Sequence, residues 1–460
     1  MVMKYWVETN SQLFCFFVGL LCALPLIFLT PPFQVPDEPQ HFYRAYQVSE
    51  RHFLPELDNK IAGGRLPSSL IELTSFYLGS RAIHAERPVI KRPWSSISDG
   101  FSIPLLPEKR EFIDFSGAAF YSPIPYLPQS LAIATGRLFD FGPLALMYFA
   151  RFANALAAIF LLSAAVRCSP LLKSGFMVAG LLPMSLYLYA SLSPDALVIG
   201  SAFLFTALAV RAHVEKKWLP IHLVIAVACA TIFCSLKVTY SPLLLISLVS
   251  VFKSNFIGQA VRTQIVLVLI PLAVTAIWLH AVSGLIVPVK VGTSVAAQMQ
   301  YVGTHPLLFL KAVAHGFLWN GFYFFMTIGV LGWLTVKLPA VSYVLPVIAF
   351  SISVFSLPQI KILRSAAVLL WWSFLAVSCI GLVMLALYLY WTVVGDVTVE
   401  GVQGRYFIPV IPLFLLVIAG VISLLKKEFP AVEAVIWVGA LAIAEAFLTF
   451  FALSRSFWQL

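Results

Sequence analysis

Charge is what this chain has least of. Only 11% of its 460 residues are Asp, Glu, Lys or Arg, against 60% hydrophobic and 14% aromatic. Soluble domains carry about a quarter charged residues, so this composition excludes an ordinary cytosolic enzyme. It also excludes a disordered chain and a nucleic-acid-binding protein of the usual kind. Cysteine is scarce as well. Of the six, Cys15, Cys22, Cys229, Cys234 and Cys379 sit inside apolar runs and Cys168 ends one, with no C-x-x-C pair. That leaves no basis for a disulfide scaffold or a thiolate metal centre. No zinc signature, P-loop or dinucleotide-binding glycine motif occurs, and no internal repeat or low-complexity stretch is evident. What is abundant is apolar length, with a mean hydropathy of +0.93. The composition is that of an all-α polytopic membrane protein.

A helix that crosses a bilayer needs roughly 17–25 predominantly apolar residues. Runs of that kind lie near 13–30, 147–166, 172–192, 195–212, 219–236, 239–253, 264–282, 341–357, 368–391, 407–425 and 432–453. The first has signal-peptide length, but Pro-Pro-Phe-Gln follows where a small-residue cleavage site belongs, so an uncleaved helix is expected. No span shows an interruption in its hydropathy. Residues 31–146 differ in kind, being polar, proline-rich and home to 12 of the 20 acidic residues.

Basic residues are retained on the cytoplasmic side of membrane proteins. With the N-terminus inside, twelve basic residues, Arg167, Lys173, Arg211, Lys216, Lys217 and Arg262 among them, face the cytoplasm against four acidic ones. The net charge of +10 therefore reports topology rather than an acidic partner. This assignment predicts a single integral-membrane domain over 1–460. Its first extracytoplasmic loop is 31–146, its second is 283–340, and the expected count is about eleven spans. Two further segments, 126–139 and 312–336, are apolar enough to raise the count to thirteen, but that would turn two basic clusters outward. They are expected to be juxtamembrane helices, the second anchored by aromatics such as Phe322, Tyr323 and Trp333.

The chemistry-bearing residues cluster where spans meet the outer face. Pro-Pro-Phe-Gln-Val-Pro-Asp-Glu-Pro-Gln-His-Phe-Tyr-Arg-Ala-Tyr at 31–46 follows the first span. Prolines stiffen the turn around Asp37 and Glu38, and Pro39 suits the first position of a helix. In that helix Asp37, His41 and Arg44 fall at i, i+4 and i+7, on one face. A carboxylate there is either a general base toward a hydroxyl or a helix N-cap, and caps are the commoner case. Ser-Pro-Asp-Ala-Leu at 193–197 puts Asp195 at the start of another span, where it is either a dipole-complementing residue or a second acidic group. Lys237, in a short outer turn, either snorkels or binds an anionic headgroup. Gly-Val-Gln-Gly-Arg-Tyr-Phe-Ile-Pro at 401–409 offers Arg405, a planar fork suited to phosphate, flanked by Gln403 and Tyr406. Glu445 lies within the last span, where an ionisable group is either functional or set against a polar neighbour.

An acidic pair after the first span, a long outer loop and a Pro-Asp turn after the third span resemble the GT-C superfamily of integral-membrane glycosyltransferases. More narrowly, the 31–46 and 401–409 motifs, with Tyr-Ser-Pro-Ile-Pro-Tyr at 121–126 and Ser-Pro-Asp-Ala-Leu, are similar to a large bacterial family of multispanning proteins catalogued as a domain of unknown function. The resemblance covers nearly the whole chain. It implies a GT-C-like bundle in the bacterial cytoplasmic membrane and a polyprenyl-phosphate-linked sugar donor used on the outer face. By the same resemblance Asp37, with Glu38 beside it, matches the catalytic acidic position, and Asp195 the second one. A divalent cation is one of several roles open to that second acid. Lys237 and Arg405 are expected at the donor phosphate, with His41, Arg44, Tyr121, Gln403 and Tyr406 as substrate-binding neighbours. No large soluble domain follows the last span, which favours a glycan, lipid or polymer acceptor over a peptide. The competing expectations are a transporter or flippase of lipid-linked glycans, in which these residues only hold a headgroup, and a non-catalytic scaffold.

Overall fold

The computed structural model describes residues 7, 9–79, 91–248, 257–285, 292–319, 322–356, 365–425 and 434–459. Several charges used to orient the chain, Lys253, Lys361, Arg364, Lys426 and Lys427 among them, lie outside the described residues. Within them the architecture is mostly helical. Seven helices are long and apolar enough to cross a membrane: Ser11–Leu29, Pro143–Cys168, Asp195–Glu215, Ile257–Ala281, Ala366–Tyr390, one formed by Gly404–Val410 continuing into Ile411–Leu425, and Ala434–Phe457. Asp195–Glu215 is the most enclosed, with 89% of its apolar window buried inside the protein, and it packs against Pro143–Cys168 on one side and Pro220–Leu236 on the other.

Seven of the eleven expected spans are such helices, and the other four are broken, shorter or run outside the described residues. The run 172–192 is broken into Lys173–Gly180 and Pro183–Tyr189. Pro183 has no N–H for the Ala179 carbonyl, and the Ser185 hydroxyl donates to it instead at 2.8 Å. The run 239–253 begins as a 3-10 helix, Val238–Leu245, around Pro242, and its end lies outside the described residues. Pro220–Leu236 has 17 residues and Val341–Phe355 has 15, at or below the spanning minimum. Hydropathy averages over such breaks, because the side chains remain apolar while the backbone changes course.

The two segments expected beside the membrane are short in the structure. Leu127–Arg137 has 11 residues, about 16 Å at 1.5 Å per residue, roughly half the hydrocarbon thickness. Residues 312–336 divide among the end of Pro306–Trp319, Phe322–Gly329 and a small hairpin of Val330–Leu331 with Val336–Lys337.

The polar segment after the first span folds against the bundle through its own small sheet. Three antiparallel strands, β1 (Glu56–Asp58), β2 (Ile61–Pro67) and β3 (Arg110–Asp114), pair with β2 central, Gly63 facing Glu56 and Asp114. Glu50, at the end of the helix Glu38–Ser49, binds both Arg110 and Arg137 and ties sheet and helices together. At the other end of the chain, Trp458 stacks on Trp94 with ring centres 3.8 Å apart and donates its indole N–H to the Leu29 carbonyl at 2.8 Å. The residues between the first span and Asp37 are clamped from two sides. Trp333 donates to the Phe33 carbonyl at 3.2 Å, and Tyr187 donates to the Gln34 carbonyl at 3.0 Å.

Candidate functional site

Four charged residues from distant parts of the sequence meet at one end of the bundle. Asp37 follows the first span, Asp195 opens the helix Asp195–Glu215, Lys237 caps Pro220–Leu236, and Arg405 lies in the 3-10 turn that begins the next span. They form one chain of ion pairs. Lys237 Nζ lies 2.5 Å from Asp195 Oδ1, Arg405 Nε lies 3.7 Å from Asp195 Oδ2, and Arg405 Nη2 lies 3.4 Å from Asp37 Oδ2. Tyr406 lies beneath both cations, its ring centre 4.4 Å from Lys237 Nζ and 5.4 Å from the Arg405 guanidinium carbon. Two carboxylates and two cations leave this cluster formally neutral.

Exposure separates its members. The side chain of Asp37 is 47% exposed, against 12% for Asp195 and 7% for Arg405. Asp37 is therefore the open end of the cluster. It occupies the N-cap position of Glu38–Ser49, yet its side chain makes no capping hydrogen bond, and its backbone is left-handed at φ 63°. A non-glycine residue held there costs on the order of 1–3 kcal/mol and persists only where its surroundings impose it. The capping interpretation of Asp37 is thus not the one the structure adopts. Asp195 is likewise not a cap, since Pro194 holds that position and the Asp195 carboxylate turns to Lys237 and Arg405.

Glu38 departs from its neighbour. Its side chain is fully buried and forms a two-bond pair with Arg151, Nε to Oε1 at 2.9 Å and Nη2 to Oε2 at 2.6 Å. The Phe33 and Leu192 amides donate to the same carboxylate at 3.0 and 3.2 Å. Arg151 spends its remaining donors on the Ile27, Thr30 and Pro31 carbonyls. With every lone-pair direction engaged and no access to solvent, Glu38 joins three segments rather than facing the cluster. The expectation that it shares the reacting role with Asp37 is corrected on that geometry.

The substrate-binding candidates also divide. His41 is buried, with Nδ1 2.8 Å from the Tyr126 hydroxyl and its ring against Tyr121. Burial pushes it down to about 4, against the opposing pull of Asp37 and Asp195, so it is neutral near pH 7. Burial raises the Tyr121 and Tyr126 hydroxyls well above the usual phenol range, so both stay protonated. Arg44 faces away from the cluster. It donates to Gln47 Oε1 at 2.5 Å and to the Phe53 and Tyr121 carbonyls at 2.7 and 3.2 Å, and lies over the Trp278 ring. Gln403 precedes the Arg405 turn as its cap position, where its carbonyl accepts from the Tyr406 N–H at 3.1 Å.

Three residues outside the sequence-based set hold the site. Asn154 donates to the Ser191 and Ser193 carbonyls at 2.7 and 3.1 Å and accepts from Gln129 at 2.8 Å, fixing the turn that carries Asp195. Tyr240 donates to the Tyr406 carbonyl at 2.8 Å. Arg151 positions the Asp37 turn through Glu38. A signal for two of them was present, because an arginine and an asparagine three residues apart inside an apolar run demand internal partners. Gly404 is required by crowding: a Cβ there would lie 2.2 Å from the Thr327 backbone nitrogen. The donor set does not fit a divalent cation. Among the described residues no three His, Cys, Asp or Glu side chains come together, and both cluster carboxylates are already paired with cations.

A family model described as "Predicted membrane protein (DUF2142)" matches residues 16–414. The chain belongs to the DUF2142 family. The match extends from within the first span to the helix that follows Arg405, so all four charged residues of the cluster fall inside the family region. No curated protein and no solved structure matches. This DUF2142 protein is a multi-pass membrane protein whose charged cluster lies at the ends of its helices.

Proposed function

We propose that this DUF2142 protein is a membrane glycosyltransferase of the GT-C type. It moves a sugar from a polyprenyl-phosphate-linked donor to a glycan, lipid or polymer acceptor of the cell envelope, on the outer face of the bacterial cytoplasmic membrane. The observation that carries this reading is Asp37: a half-exposed carboxylate in a left-handed turn, without a capping bond, beside a buried arginine.

The chemistry follows from the charge balance. With no ligand, Arg405 and Lys237 are neutralised by Asp37 and Asp195. A donor phosphate is a stronger, multidentate partner for a guanidinium than the exposed Asp37 at 3.4 Å. Its arrival draws Arg405 away and leaves Asp37 free to accept a proton. Asp37 takes the proton of the acceptor hydroxyl as that oxygen bonds to the anomeric carbon of the sugar. The bond from that carbon to the phosphate oxygen breaks, and the electron pair leaves with the polyprenyl phosphate, stabilised by Arg405 and Lys237. Asp195 keeps the two cations in register. His41, neutral, and the protonated Tyr121 offer hydrogen bonds without adding charge, and Tyr406 supports both cations through its ring. Glu38, Arg44 and Gln403 position the segments.

The test is polyprenyl phosphate release from a labelled donor by membranes carrying the protein. Wild type releases it only with acceptor present, and Asp37→Asn does not; full release by the variant would refute the assignment. A second reading, a flippase of lipid-linked glycans, is favoured by one observation. The break between Lys173–Gly180 and Pro183–Tyr189 is the kind of discontinuity that transporters use at binding sites. Translocation of the glycan with its bond to phosphate intact would establish that reading instead.

A further inference from the structure

The motif Tyr-Ser-Pro-Ile-Pro-Tyr at 121–126 delivers a hydroxyl to the edge of the charged cluster. Pro123 and Pro125, with φ held near the helical value, suit the 3-10 turn Ile124–Tyr126, which the Tyr126 N–H closes on the Pro123 carbonyl at 3.0 Å. Arg44 holds the start of the motif through the Tyr121 carbonyl. Both tyrosine rings are thereby brought against His41, their centres 6.3 Å (Tyr121) and 5.9 Å (Tyr126) from the imidazole. Tyr126 is fully buried, and among the described residues its hydroxyl has one hydrogen-bond partner, His41 Nδ1 at 2.8 Å.

That single partner decides where the imidazole carries its proton. A proton on Nδ1 would leave the Tyr126 O–H buried with no acceptor, which folded proteins avoid. Tyr126 therefore donates to Nδ1, and the neutral ring keeps its proton on Nε2. His41 is only 5% exposed, yet Nε2 is not among the buried nitrogens closed off from solvent, and no described residue accepts from it. Asp37, Asp195, Arg405 and Lys237 all lie within electrostatic reach of the ring. Both carboxylates are already engaged, Asp195 by Lys237 and Arg405, and Asp37 by Arg405. The cluster thus has beside it one uncharged N–H donor without a commitment.

We propose that His41 Nε2–H is a third donor to the phosphate of a lipid-linked substrate, beside Arg405 and Lys237, and that Tyr126 fixes the tautomer that supplies it. The proposal rests on a lipid phosphate entering the cluster, which the transferase and flippase readings share. Neutrality of the donor matters. An imidazolium one helical turn from Asp37 would compete for that carboxylate, whereas a neutral imidazole adds a bond to the phosphate and leaves Asp37 to the acceptor hydroxyl. His41 is then a substrate-binding residue and Tyr126 a positioning residue.

Full-length wild type, His41→Leu, His41→Gln and Tyr126→Phe are titrated with polyprenyl phosphate in nanodiscs, and binding is read by native mass spectrometry. His41→Leu binds roughly ten- to a hundredfold more weakly, the loss of one hydrogen bond to a charged group. His41→Gln, with an amide N–H in place of Nε2–H, keeps most of the affinity. Undiminished binding by His41→Leu overturns the proposal. Nitrogen NMR of labelled histidine at neutral pH gives a readout that a merely structural role would not move, with the His41 signals assigned by their absence from His41→Gln. In wild type Nδ1 is unprotonated, the Nε2–H signal moves as the lipid binds, and Tyr126→Phe admits the second tautomer. Should His41→Leu fail to fold, the wild-type spectrum decides. Lipid binding with a stationary Nε2–H signal overturns the role of His41 alone, and no binding by wild type overturns the lipid-phosphate reading with it. A protonated Nδ1 in wild type, or an unchanged spectrum in Tyr126→Phe, overturns the role of Tyr126.

Discussion

Replacing Asp37 by Asn and Glu38 by Gln should produce opposite phenotypes, although the two residues are adjacent. Glu38→Gln removes the negative half of a pair in which both side chains are fully buried. Arg151 keeps its three carbonyl acceptors but loses its counter-charge, and the Gln Nε2 meets a region supplied only with donors, the Phe33 and Leu192 amides and the guanidinium. Breaking a buried pair in this way costs about 3–5 kcal/mol. Asp37→Asn removes one 3.4 Å contact from a half-exposed side chain, which is worth at most about 1 kcal/mol. For activity the order reverses. Loss of a general base costs about 10²–10⁴-fold, whereas Glu38 touches neither the cluster nor any route to solvent. The assay pairs thermal unfolding of the purified variants with polyprenyl phosphate release per folded molecule. Expected are a large Tm loss with near-normal specific release for Glu38→Gln, and a near-normal Tm with lost release for Asp37→Asn. Equal loss of release in both at unchanged stability would refute the division and restore the pair as one catalytic unit.

Three further outcomes follow from the same geometry. His41, held down at about 4 when folded against a usual 6.5, binds its proton more readily in the unfolded chain between those values. Stability is therefore fully present above about pH 6.5 and declines by on the order of 3 kcal/mol as pH falls toward about 4; His41→Gln should flatten that decline in Tm against pH. Gly404→Ala forces a methyl onto the Thr327 and Met326 backbone; overpacking of that kind costs about 1–3 kcal/mol, seen as a lower Tm together with weaker donor binding as Arg405 shifts. Asn154→Leu strips the donor from the Ser191 and Ser193 carbonyls, a loss of about 1–3 kcal/mol by thermal unfolding that should also raise the donor KM by loosening the Asp195 turn.

Much of the site was legible in the sequence because charge is so rare in this chain. Asp37, Asp195, Lys237 and Arg405 each stand out against apolar surroundings, and the structure joins all four in one chain of ion pairs. What the sequence could not divide was the acidic pair itself. Asp37 and Glu38 have the same chemistry and adjacent positions, and their fates are decided by Arg151, more than a hundred residues away. Arg44 misleads for a related reason: helical spacing puts it on the face of Asp37, but whether a guanidinium meets a ligand or a backbone carbonyl depends on which segments fold back over it, here the two that carry Phe53 and Tyr121.

The expected spans that the structure breaks are those where hydropathy is blind in principle. A transfer scale sums side chains, and neither Pro183 nor Pro346 makes its segment less apolar, yet each removes a backbone donor that the membrane interior cannot replace. Such breaks are tolerated only where other groups supply the missing bonds, as the Ser185 hydroxyl does for Ala179. At Pro346 the carbonyl left without a donor is that of Ser342, whose buried hydroxyl lies beside the Glu445 carboxyl of the last span.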